Sequence, residues 1–398
     1  MKYLDIEEAR LQTMGARHTA VEIAGQPTLW EETYRLFTRH REELHSFVHK
    51  SVSAVPARIL LCGAGTSAFI GEALAGLFQK ISGIDTRAVA TTDIVTHPGF
   101  YFSGKNILMI SFARSGNSPE SVKAVELADA LCDTVSHLII SCNPQGQLAL
   151  RGRRDDSYVF LLPPEADDKS LAMTGSFSAM MLSGLLLANL WAGRECAGQV
   201  LRLAGAARAI MDRYREDLKN IAAMDFDRAV FLGSGPAAGI ARESHLKLQE
   251  LTDGAVICKF DSFLGFRHGP KAVVTPRTLL VFFLSSHEYV RPYESDLIDA
   301  VNHSEKGIFR IAVTEEERAD IDVDLQIVCG DGSARLEEGF LAIAQVVVAH
   351  LLGFFKSLHL GLNPDTPSKS GTITRVVEGV RLYPYQQEAT NRSAGYGG

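Results

Sequence analysis

The sequence has few cysteines, and none of them stands at a spacing that pairs it. The 398 residues include six cysteines, without a CxxC motif or a neighbouring Cys/His pair. Scattered cysteines within apolar runs are typical of buried thiols in a reducing compartment, and they argue against a disulfide framework or a zinc site. We therefore predict a cytoplasmic protein without a metal centre. The cysteines are Cys62, Cys132, Cys142, Cys196, Cys258 and Cys329.

Blocks of basic residues and a signal peptide are also lacking. The formal net charge is −7, and this balance makes nucleic acid and acidic membrane surfaces poor partners, so we predict neither. The N-terminus carries charges throughout and lacks the apolar core of a signal peptide. A stretch without charged residues, 170–193, contains hydroxyl and amide side chains and three glycines. We predict a core helix there rather than a membrane span.

Strand-like apolar runs occur in two sets of five, separated by helical patterns and preceded by an amphipathic helical region. This alternation predicts a parallel sheet covered by helices in each half of the chain. We accordingly expect an N-terminal helical segment (1–50), two domains (51–205 and 206–360) and a C-terminal tail (361–398). The predicted strands are 59–62, 86–90, 107–112, 138–142, 158–162, 229–232, 255–260, 279–284, 309–313 and 325–329.

The openings of the two sets resemble each other at a constant offset of 170 residues, which indicates a repeated domain. Each opening contains a Gly-x-Gly turn that also fits a dinucleotide-binding motif. In the first half, however, Ala68 replaces the third glycine, and the next strand is followed by no acidic residue before Asp93. We therefore rank a dinucleotide site third among the possibilities. The aligned pairs are Arg58 with Arg228, Gly63 with Gly233, and Gly65 with Gly235.

The stretch 106–121, NILMISFARSGNSPES, has the pattern of a strand, a tight loop and a helix start. The hydroxyls of Ser115 and Ser118, with Gly116 between them and Pro119 at the first helical position, suit a phosphate at a helix N-terminus. A second hydroxyl loop at 65–67 follows the first strand, and both loops fall at the carboxyl edge of a parallel sheet. The pair indicates a phosphate site, although each loop alone is equally consistent with a simple turn.

The second half lacks this pair of loops and offers acid, base and cation instead. Glu243, Lys247 and Glu250 have helical spacing that puts them on one face, which is also ordinary for a solvated, salt-bridged helix. His268 stands in a Phe-Arg-His-Gly-Pro loop that suits acid-base catalysis, although a lone histidine is more often structural. Lys369 lies in the constrained loop NPDTPSKS and suits Schiff-base chemistry if its pKa is lowered.

These motifs, taken in order, resemble the sugar-isomerase (SIS) domain family. The Gly-Thr-Ser turn, the Ser-Gly-x-Ser loop and the pieces LKLQE, RHGP and SKS are similar to the isomerase portion of glucosamine-6-phosphate synthase. From about residue 45 to 385 the chain most resembles the tagatose-6-phosphate ketose/aldose isomerase proteins, also described as galactosamine-6-phosphate deaminases. The resemblance implies an α/β fold with two doubly wound five-stranded parallel-sheet domains, each a flavodoxin-like α/β/α sandwich of three layers.

The resemblance also implies roles for individual residues. Glu250 falls where relatives place the base that moves a proton between C1 and C2, with Lys247 close to it. His268 falls on the ring-opening histidine, which relatives supply from the neighbouring subunit, and Lys369 falls on the lysine that takes the open ketose as an imine. The implied sugar-binding and phosphate-binding residues are Thr66, Ser67, Arg114, Ser115, Ser118, Ala172 and Thr174.

The leading hypothesis is an enzyme that converts galactosamine 6-phosphate and water to tagatose 6-phosphate and ammonia. Two alternatives stay open: an aldose/ketose isomerase that releases no nitrogen, and a non-catalytic sugar-phosphate sensor, for which a DNA-binding module is lacking. We expect no metal or redox cofactor, a small sugar phosphate as ligand, and a homodimer or larger homo-oligomer with a shared site. Relatives often have a neutral residue at Arg114, so phosphate affinity is expected to depend on Arg114 here.

Overall fold

The computed structural model describes residues 1–53, 57–102, 106–377 and 379–385. The end of the predicted C-terminal tail, 386–398, therefore lies outside the described residues. The strands are β1 Lys2–Tyr3, β2 Ile6–Glu7, β3 Ala57–Gly63, β4 Asp85–Ala90, β5 Asn106–Ala113, β6 Thr134–Ser141, β7 Ser157–Leu161, β8 Arg228–Gly233, β9 Ile257–Asp261, β10 Thr278–Phe283, β11 Phe309–Thr314 and β12 Leu325–Val328.

Ten of these strands form two parallel sheets of five. The first sheet has the order β4-β3-β5-β6-β7 and the second has the order β9-β8-β10-β11-β12, so the two topologies are the same. Numbered within each half, the order is 2-1-3-4-5, which is the doubly wound, flavodoxin-like arrangement. The predicted fold class is confirmed. The strand ends differ from the predicted ones by one or two residues, except that β6 begins four residues earlier, where Thr134 pairs with Asn106 of β5.

Helices connect the strands and cover both faces of each sheet. They are α1 Glu8–Thr13, α2 Arg17–Arg39, α3 Arg41–Ser51, α4 Thr66–Ser82, α5 Thr91–Thr96, α6 Gly99–Phe102, α7 Pro119–Leu131, α8 Gln147–Leu150, α9 Gly175–Trp191, α10 Ala197–Arg213, α11 Arg215–Ala222, α12 Pro236–Leu251, α13 Phe263–Phe266, α14 Arg291–Asn302 and α15 Glu338–His359. The N-terminal region was predicted to be helical throughout. It begins instead with the β1-β2 hairpin, whose turn residues Leu4 and Asp5 have positive φ angles.

The main hydrophobic core lies between the two sheets. It contains alternate residues of the central strands, such as Ile59 and Leu61 of β3, together with the facing sides of α4, α9, α12 and α15. The other residues of the same strand, Leu60 and Cys62, face a smaller outer cluster with α5 and α7. A matching outer cluster covers the second sheet under α13 and α14. The alternation follows from the two-residue period of a strand that is buried on both faces.

Two long apolar helices cross this core. The stretch 170–193 forms α9, and every residue from Gly175 to Leu190 is buried, as predicted for a core helix. By length and composition α15 could cross a membrane, but 94% of its most apolar window is buried inside the protein. A core helix of this kind passes the same length test.

The strand order positions a crevice at the carboxyl edge of each sheet. In the first half β4 and β5 lie on opposite sides of β3, so the loops after β3 and β5 open on the point where the order reverses. Ligands of open α/β sheets bind at this point. Helix α12 of the second half packs closely on α4, since a Cβ atom on Gly239 would lie 2.6 Å from the backbone nitrogen of Ala73. This crossing brings the second half against the crevice of the first.

Candidate active site

A cavity of about 370 Å³ opens at the carboxyl edge of the first sheet. Its walls come from the loops after β3 and β5, from the start of α7, from α12 of the second half and from a segment of the C-terminal tail. The lining residues are Ala64, Gly65, Thr66, Ser67, Thr92, Phe112, Ala113, Arg114, Ser115, Gly116, Ser118, Glu120, Ser121, Leu171, Met173, Leu246, Lys247, Glu250, Thr372, Ile373, Thr374, Arg375, Val376 and Val377.

The loop after β3 presents two hydroxyls at the start of a helix. Gly65 has φ 56° and ψ −130°, a conformation that favours glycine, and α4 begins at Thr66 immediately after it. Thr66 and Ser67 line the cavity and are each only 5% exposed. The turn also needs Gly63, because a Cβ atom there would lie 2.6 Å from the carbonyl oxygen of Ser67. The positive end of α4 and two hydroxyls therefore face the same space.

The loop after β5 supplies the second set of hydroxyls. Gly116 has a positive φ of 67°, and a Cβ atom on it would lie 3.2 Å from Cα of Gly146. The side-chain amide of Asn143 donates to the carbonyl oxygen of Ser115 at 2.9 Å and fixes the turn. Ser118 stands at the N-cap of α7 without a side-chain capping bond, so its hydroxyl remains available to a ligand. The two loops form a cradle of hydroxyls and helix N-termini that suits a phosphate.

Arg114 lines the cavity, as expected, and also makes contacts that the sequence did not indicate. Its side chain lines the cavity and is 7% exposed, but one terminal nitrogen donates to the carbonyl oxygen of Leu171 at 3.1 Å and the other donates to that of Arg375. The guanidinium therefore holds three chain segments together at the cavity wall. Two of its nitrogens already bind backbone carbonyls, and the expectation that phosphate affinity depends on Arg114 stays a prediction.

Helix α12 brings a carboxylate and an ammonium group to the opposite wall. Lys247 is buried and its Nζ donates to Oε2 of Glu250, whose side chain is 23% exposed. Burial lowers the pKa of Lys247, but the charges of Glu243 and Glu250 outweigh burial and raise it above its usual value. Burial raises the pKa of Glu243 to about 8. Oε1 of Glu243 lies 3.5 Å from Nζ of Lys247, and the two residues of this group that line the cavity are Lys247 and Glu250.

The tail segment 372–377, which we term the strap, closes one side of the cavity. Nε of Arg375 donates to the carbonyl oxygen of Asp168 at 2.8 Å, and the same guanidinium pairs with Asp167. Arg114 in turn donates to the carbonyl oxygen of Arg375. Arg375 thus ties the strap to the first half through both its side chain and its backbone carbonyl group. No sequence motif marked Arg375, because its function depends on a contact with residues about 200 positions earlier.

Asp168 is a second residue that the sequence did not reveal. It is buried, and its Oδ2 accepts hydrogen bonds from the backbone N–H groups of Thr174 at 2.8 Å and Ser176 at 2.9 Å. These bonds turn the chain into α9. Ala172 and Thr174, which were expected to contact the sugar, are themselves buried and absent from the cavity lining. Their neighbours Leu171 and Met173 line the cavity instead, because alternate residues of this extended turn face opposite sides.

The structure brings together seven of the eleven predicted site residues. Besides the two in the turn before α9, the cavity lining omits His268 and Lys369. Both are exposed, and the backbone N–H of Lys369 donates to Asp253 at 3.1 Å, three residues before the strap. Their catalytic roles stay predictions. Among the described residues, no group of three or more His, Cys, Asp and Glu side chains could hold a metal ion.

Comparisons with known proteins agree on one family. Residues 54–190 match the model of the SIS domain. The D-galactosamine-6-phosphate deaminase AgaS of Shewanella sp. (strain ANA-3) is 38% identical over 384 residues, which are 94% of this chain and 94% of that protein. The tagatose-6-phosphate ketose/aldose isomerase structure from Escherichia coli is 36% identical, with a TM-score of 0.85, and the match covers 93% of this chain and 97% of that one.

A more distant likeness concerns the fold alone. The C-terminal domain of glucosamine-fructose-6-phosphate aminotransferase from Francisella tularensis has a TM-score of 0.71 at 16% identity, and the match covers 86% of this chain and 96% of that one. The arrangement of the two sheets is therefore shared with that domain.

Proposed function

We infer the reaction from one premise: the chain belongs to the AgaS family of D-galactosamine-6-phosphate deaminases, which carry SIS domains. We propose that it is an enzyme that converts galactosamine 6-phosphate and water to tagatose 6-phosphate and ammonia. One observation carries the proposal. The hydroxyl cradle of the first half and the Glu250 carboxylate of the second half line the same cavity of about 370 Å³. A hexose phosphate needs an anion site at one end and a proton-transfer group at the other.

The cradle holds the substrate by its phosphate. Thr66, Ser67, Ser115 and Ser118 surround the position with hydroxyls, and the N-termini of α4 and α7 add favourable dipoles. Binding of the phosphate fixes the sugar carbons relative to α12, and this positioning contributes to the rate because the reacting groups no longer have to find each other.

Glu250 then moves the proton. With the sugar ring open, its carboxylate removes the proton on C2 while O1 takes up a proton, which gives an enolamine. Return of the proton to C1, with loss of one proton from the nitrogen, converts the enolamine to a C2 imine and a C1 alcohol. Lys247 beside Glu250 remains charged and stabilises the carboxylate before the first transfer and after the second, whereas Glu250 is neutral while it carries the proton. A positioned carboxylate of this kind contributes about 10²–10⁴-fold to a proton transfer.

Water completes the reaction at C2. Addition of water to the C2 imine and loss of the nitrogen release ammonia and leave the ketone of tagatose 6-phosphate. We assign Lys369 to the steps in which nitrogen leaves C2, because its loop directly precedes the strap at the cavity wall. The alternative is isomerisation of a neutral sugar phosphate, in which nothing leaves C2.

A substrate panel tests the proposed function. The enzyme is incubated with galactosamine 6-phosphate, glucosamine 6-phosphate and tagatose 6-phosphate, and free ammonia and ketose are measured. We expect ammonia and tagatose 6-phosphate in equal amounts from galactosamine 6-phosphate. Isomerisation of tagatose 6-phosphate without ammonia release from either amino sugar would reject deamination.

We propose further that the active site is shared in a homodimer. His268 is exposed and lies outside the cavity of its own chain, so it is available to open the sugar ring in the site of a second copy. Mixing inactive Glu250→Gln and His268→Ala proteins tests this. Heterodimers would contain one site with both native residues, and random exchange would restore about a quarter of the activity. Sites built within one chain would give no recovery.

The location follows from the cysteines. All six are free thiols, four of them buried, as is usual in a reducing compartment. We therefore propose a cytoplasmic enzyme whose ligand is a small sugar phosphate.

A further inference from the structure

The second sheet has a cavity of its own at the place that corresponds to the active site. Its volume is about 660 Å³, and it is lined by the loop after β10, by the start of α15, and by α4 and the C-terminal part of α9 from the first half. At the 170-residue offset, Leu77 and Lys80 of α4 correspond to Lys247 and Glu250 of α12. Helix α12 of the second half lines the first cavity, while α4 and α9 of the first half line the second. The second cavity has a lysine where the first has the catalytic carboxylate.

The loop after β8 has the same glycine conformation as the loop after β3 but lacks its hydroxyl side chains. Gly235 has φ 58° and ψ −130°, nearly the angles of its counterpart Gly65. The next two residues are Pro236 and Ala237, where the first half has a threonine and a serine. This loop therefore offers no side-chain donor for an anion, and it does not line the second cavity.

The loop after β10 has two hydroxyls, and both donate hydrogen bonds to a side chain of the same protein. Oε1 of Glu338 accepts hydrogen bonds from the Ser285 hydroxyl at 2.8 Å, from the Ser286 backbone N–H at 2.8 Å and from the Ser286 hydroxyl at 2.9 Å. The remaining backbone donor, the N–H of Ser285, points to the buried carboxyl of Glu294, with oxygen atoms at 3.0 and 3.2 Å. Donors of the kind that the first half offers to a ligand are satisfied here by side chains of the chain itself.

The residue that begins the long helix after the fifth strand differs between the two halves. In each half a long helix follows the fifth strand, and α15 begins with Glu338 where α9 begins with Gly175. A side chain at Gly175 has little room, because a Cβ atom there would lie 3.0 Å from Asp168 Oδ1 and 3.2 Å from Leu29 Cδ2. Gly175 does not line the first cavity, whereas Glu338 lines the second and reaches its loop at 285–286.

We propose that the loop at 285–286 is a second anion-binding cradle, occupied by the carboxylate of Glu338 in place of an external anion. Three hydrogen bonds to one carboxylate oxygen make the contact a charge-assisted one. The consequence is that the chain takes a single sugar phosphate, in its first half, and that the second cavity binds none. The inference rests on the contacts of Glu338 and stands whether or not the protein is a deaminase.

Chemical rescue with acetate tests whether the Glu338 carboxylate occupies an anion site at the loop 285–286. Glu338→Ala removes from the side chain the atoms of an acetate ion, so acetate added to the full-length variant has a fitted space. We expect the variant to melt about 4 °C below the native protein, since it loses charge-assisted hydrogen bonds. Sodium acetate should recover at least half of that loss relative to sodium chloride at equal ionic strength. The native protein, whose cradle is filled, should not respond in this way.

The neighbouring glutamate provides a matched control. Glu337 also lies at the start of α15, but its carboxylate is exposed and only approaches Arg194 at 3.8 Å. Glu337→Ala should melt within about 1 °C of the native protein and show no acetate-specific gain. An equal loss in both variants would show that only charge at the helix start matters, and would overturn the proposal.

A phosphate titration measures the same cradle in a second way. By calorimetry the native protein should bind one inorganic phosphate per chain, and Glu338→Ala should bind a second. Glu338→Gln keeps the size of the side chain and fills the cradle, so it should lose less stability and gain nothing from acetate. If Glu338→Ala does not fold, the proposal still fails should Glu338→Gln prove as stable as the native protein, because the cradle would then not hold an anion.

Discussion

The carboxyl edges of the two sheets have the same strand order and differ in whether their hydroxyls already donate to a side chain of the same protein. At the first edge the hydroxyls of Ser67 and Ser115 face an open cavity, while at the second edge those of Ser285 and Ser286 donate to a glutamate of the same chain. The turns have nearly identical glycine angles in both halves. A repeated fold thus provides two equivalent crevices, and the donors left without an internal partner determine which crevice binds a ligand.

Replacement of the catalytic carboxylate should have the largest effect on activity and should distinguish the two edges most clearly. We expect Glu250→Gln to lower kcat by about 10³-fold, because the amide cannot accept the C2 proton, while the affinity for substrate changes little. The matched variant in the other half is Lys80→Gln, which alters the position that corresponds to Glu250 and should leave kcat unchanged. Steady-state kinetics of ammonia release measures both. Equal losses would show that the two edges are not functionally distinct.

Removal of a cradle hydroxyl should act on binding. Ser115→Ala should raise KM by roughly 10–100-fold, since a hydrogen bond to a charged group contributes about 1.5–3 kcal/mol. Ser285→Ala removes the corresponding hydroxyl of the second half and should affect melting temperature but not KM. The distinction between the two edges would be lost if Ser285→Ala raised KM as strongly.

The second half contains two buried glutamates whose titration should make the free energy of unfolding depend on pH. Burial raises the pKa of Glu243 in α12 and of Glu294 in α14 to about 8 each. Because these folded-state pKa values lie above those of the unfolded chain, the stabilisation is complete below about pH 4.5 and is lost as the pH rises through 8.

The variant Glu294→Gln isolates this effect outside the active site. Between pH 5 and pH 9 the native protein should lose roughly 4 kcal/mol relative to Glu294→Gln, which keeps an acceptor oxygen but cannot ionise. Melting curves of both proteins across that range check the slope. A constant difference between them would mean that Glu294 is ionised throughout, and Glu243→Gln serves as the parallel measurement in α12.

Loosening the strap should have the smallest effect. Arg375→Ala removes the pair with Asp167, whose two side chains are 33% and 27% exposed, and we expect a rise in KM of about 2–5-fold. Arg335 at the second cavity pairs with Glu316 at 3.4 Å on the surface, and Arg335→Ala should leave KM unchanged. A change in kcat without a change in KM would indicate that Arg375 acts on chemistry rather than on closure.

The sequence predicted the features that are local and missed those that depend on distant contacts. The ten sheet strands and the hydroxyl loops could be read from apolar runs followed by Ser, Thr and Gly, because strand-loop-helix units fold from neighbouring residues. The residues Asp168, Arg375 and Glu338 stand in no motif. Their partners are up to 208 residues away or are backbone groups, and single-sequence patterns do not encode such pairs.

The placement of Ala172 and Thr174 illustrates the same limit at short range. Resemblance assigned the turn before α9 to the sugar, and the structure does put that turn at the cavity. Which of its residues face the ligand depends on the buried bonds to Asp168, which select Leu171 and Met173 for the lining. The sequence located the segment but not the side chains.

The most direct test of the difference between the two edges is a calorimetric titration of the Glu250→Gln protein with galactosamine 6-phosphate. Our account predicts one molecule bound per chain, with binding weakened by Ser67→Ala or Ser115→Ala and unaffected by Ser286→Ala. Two molecules per chain, or binding that depends on Ser286 and not on Ser115, would contradict it.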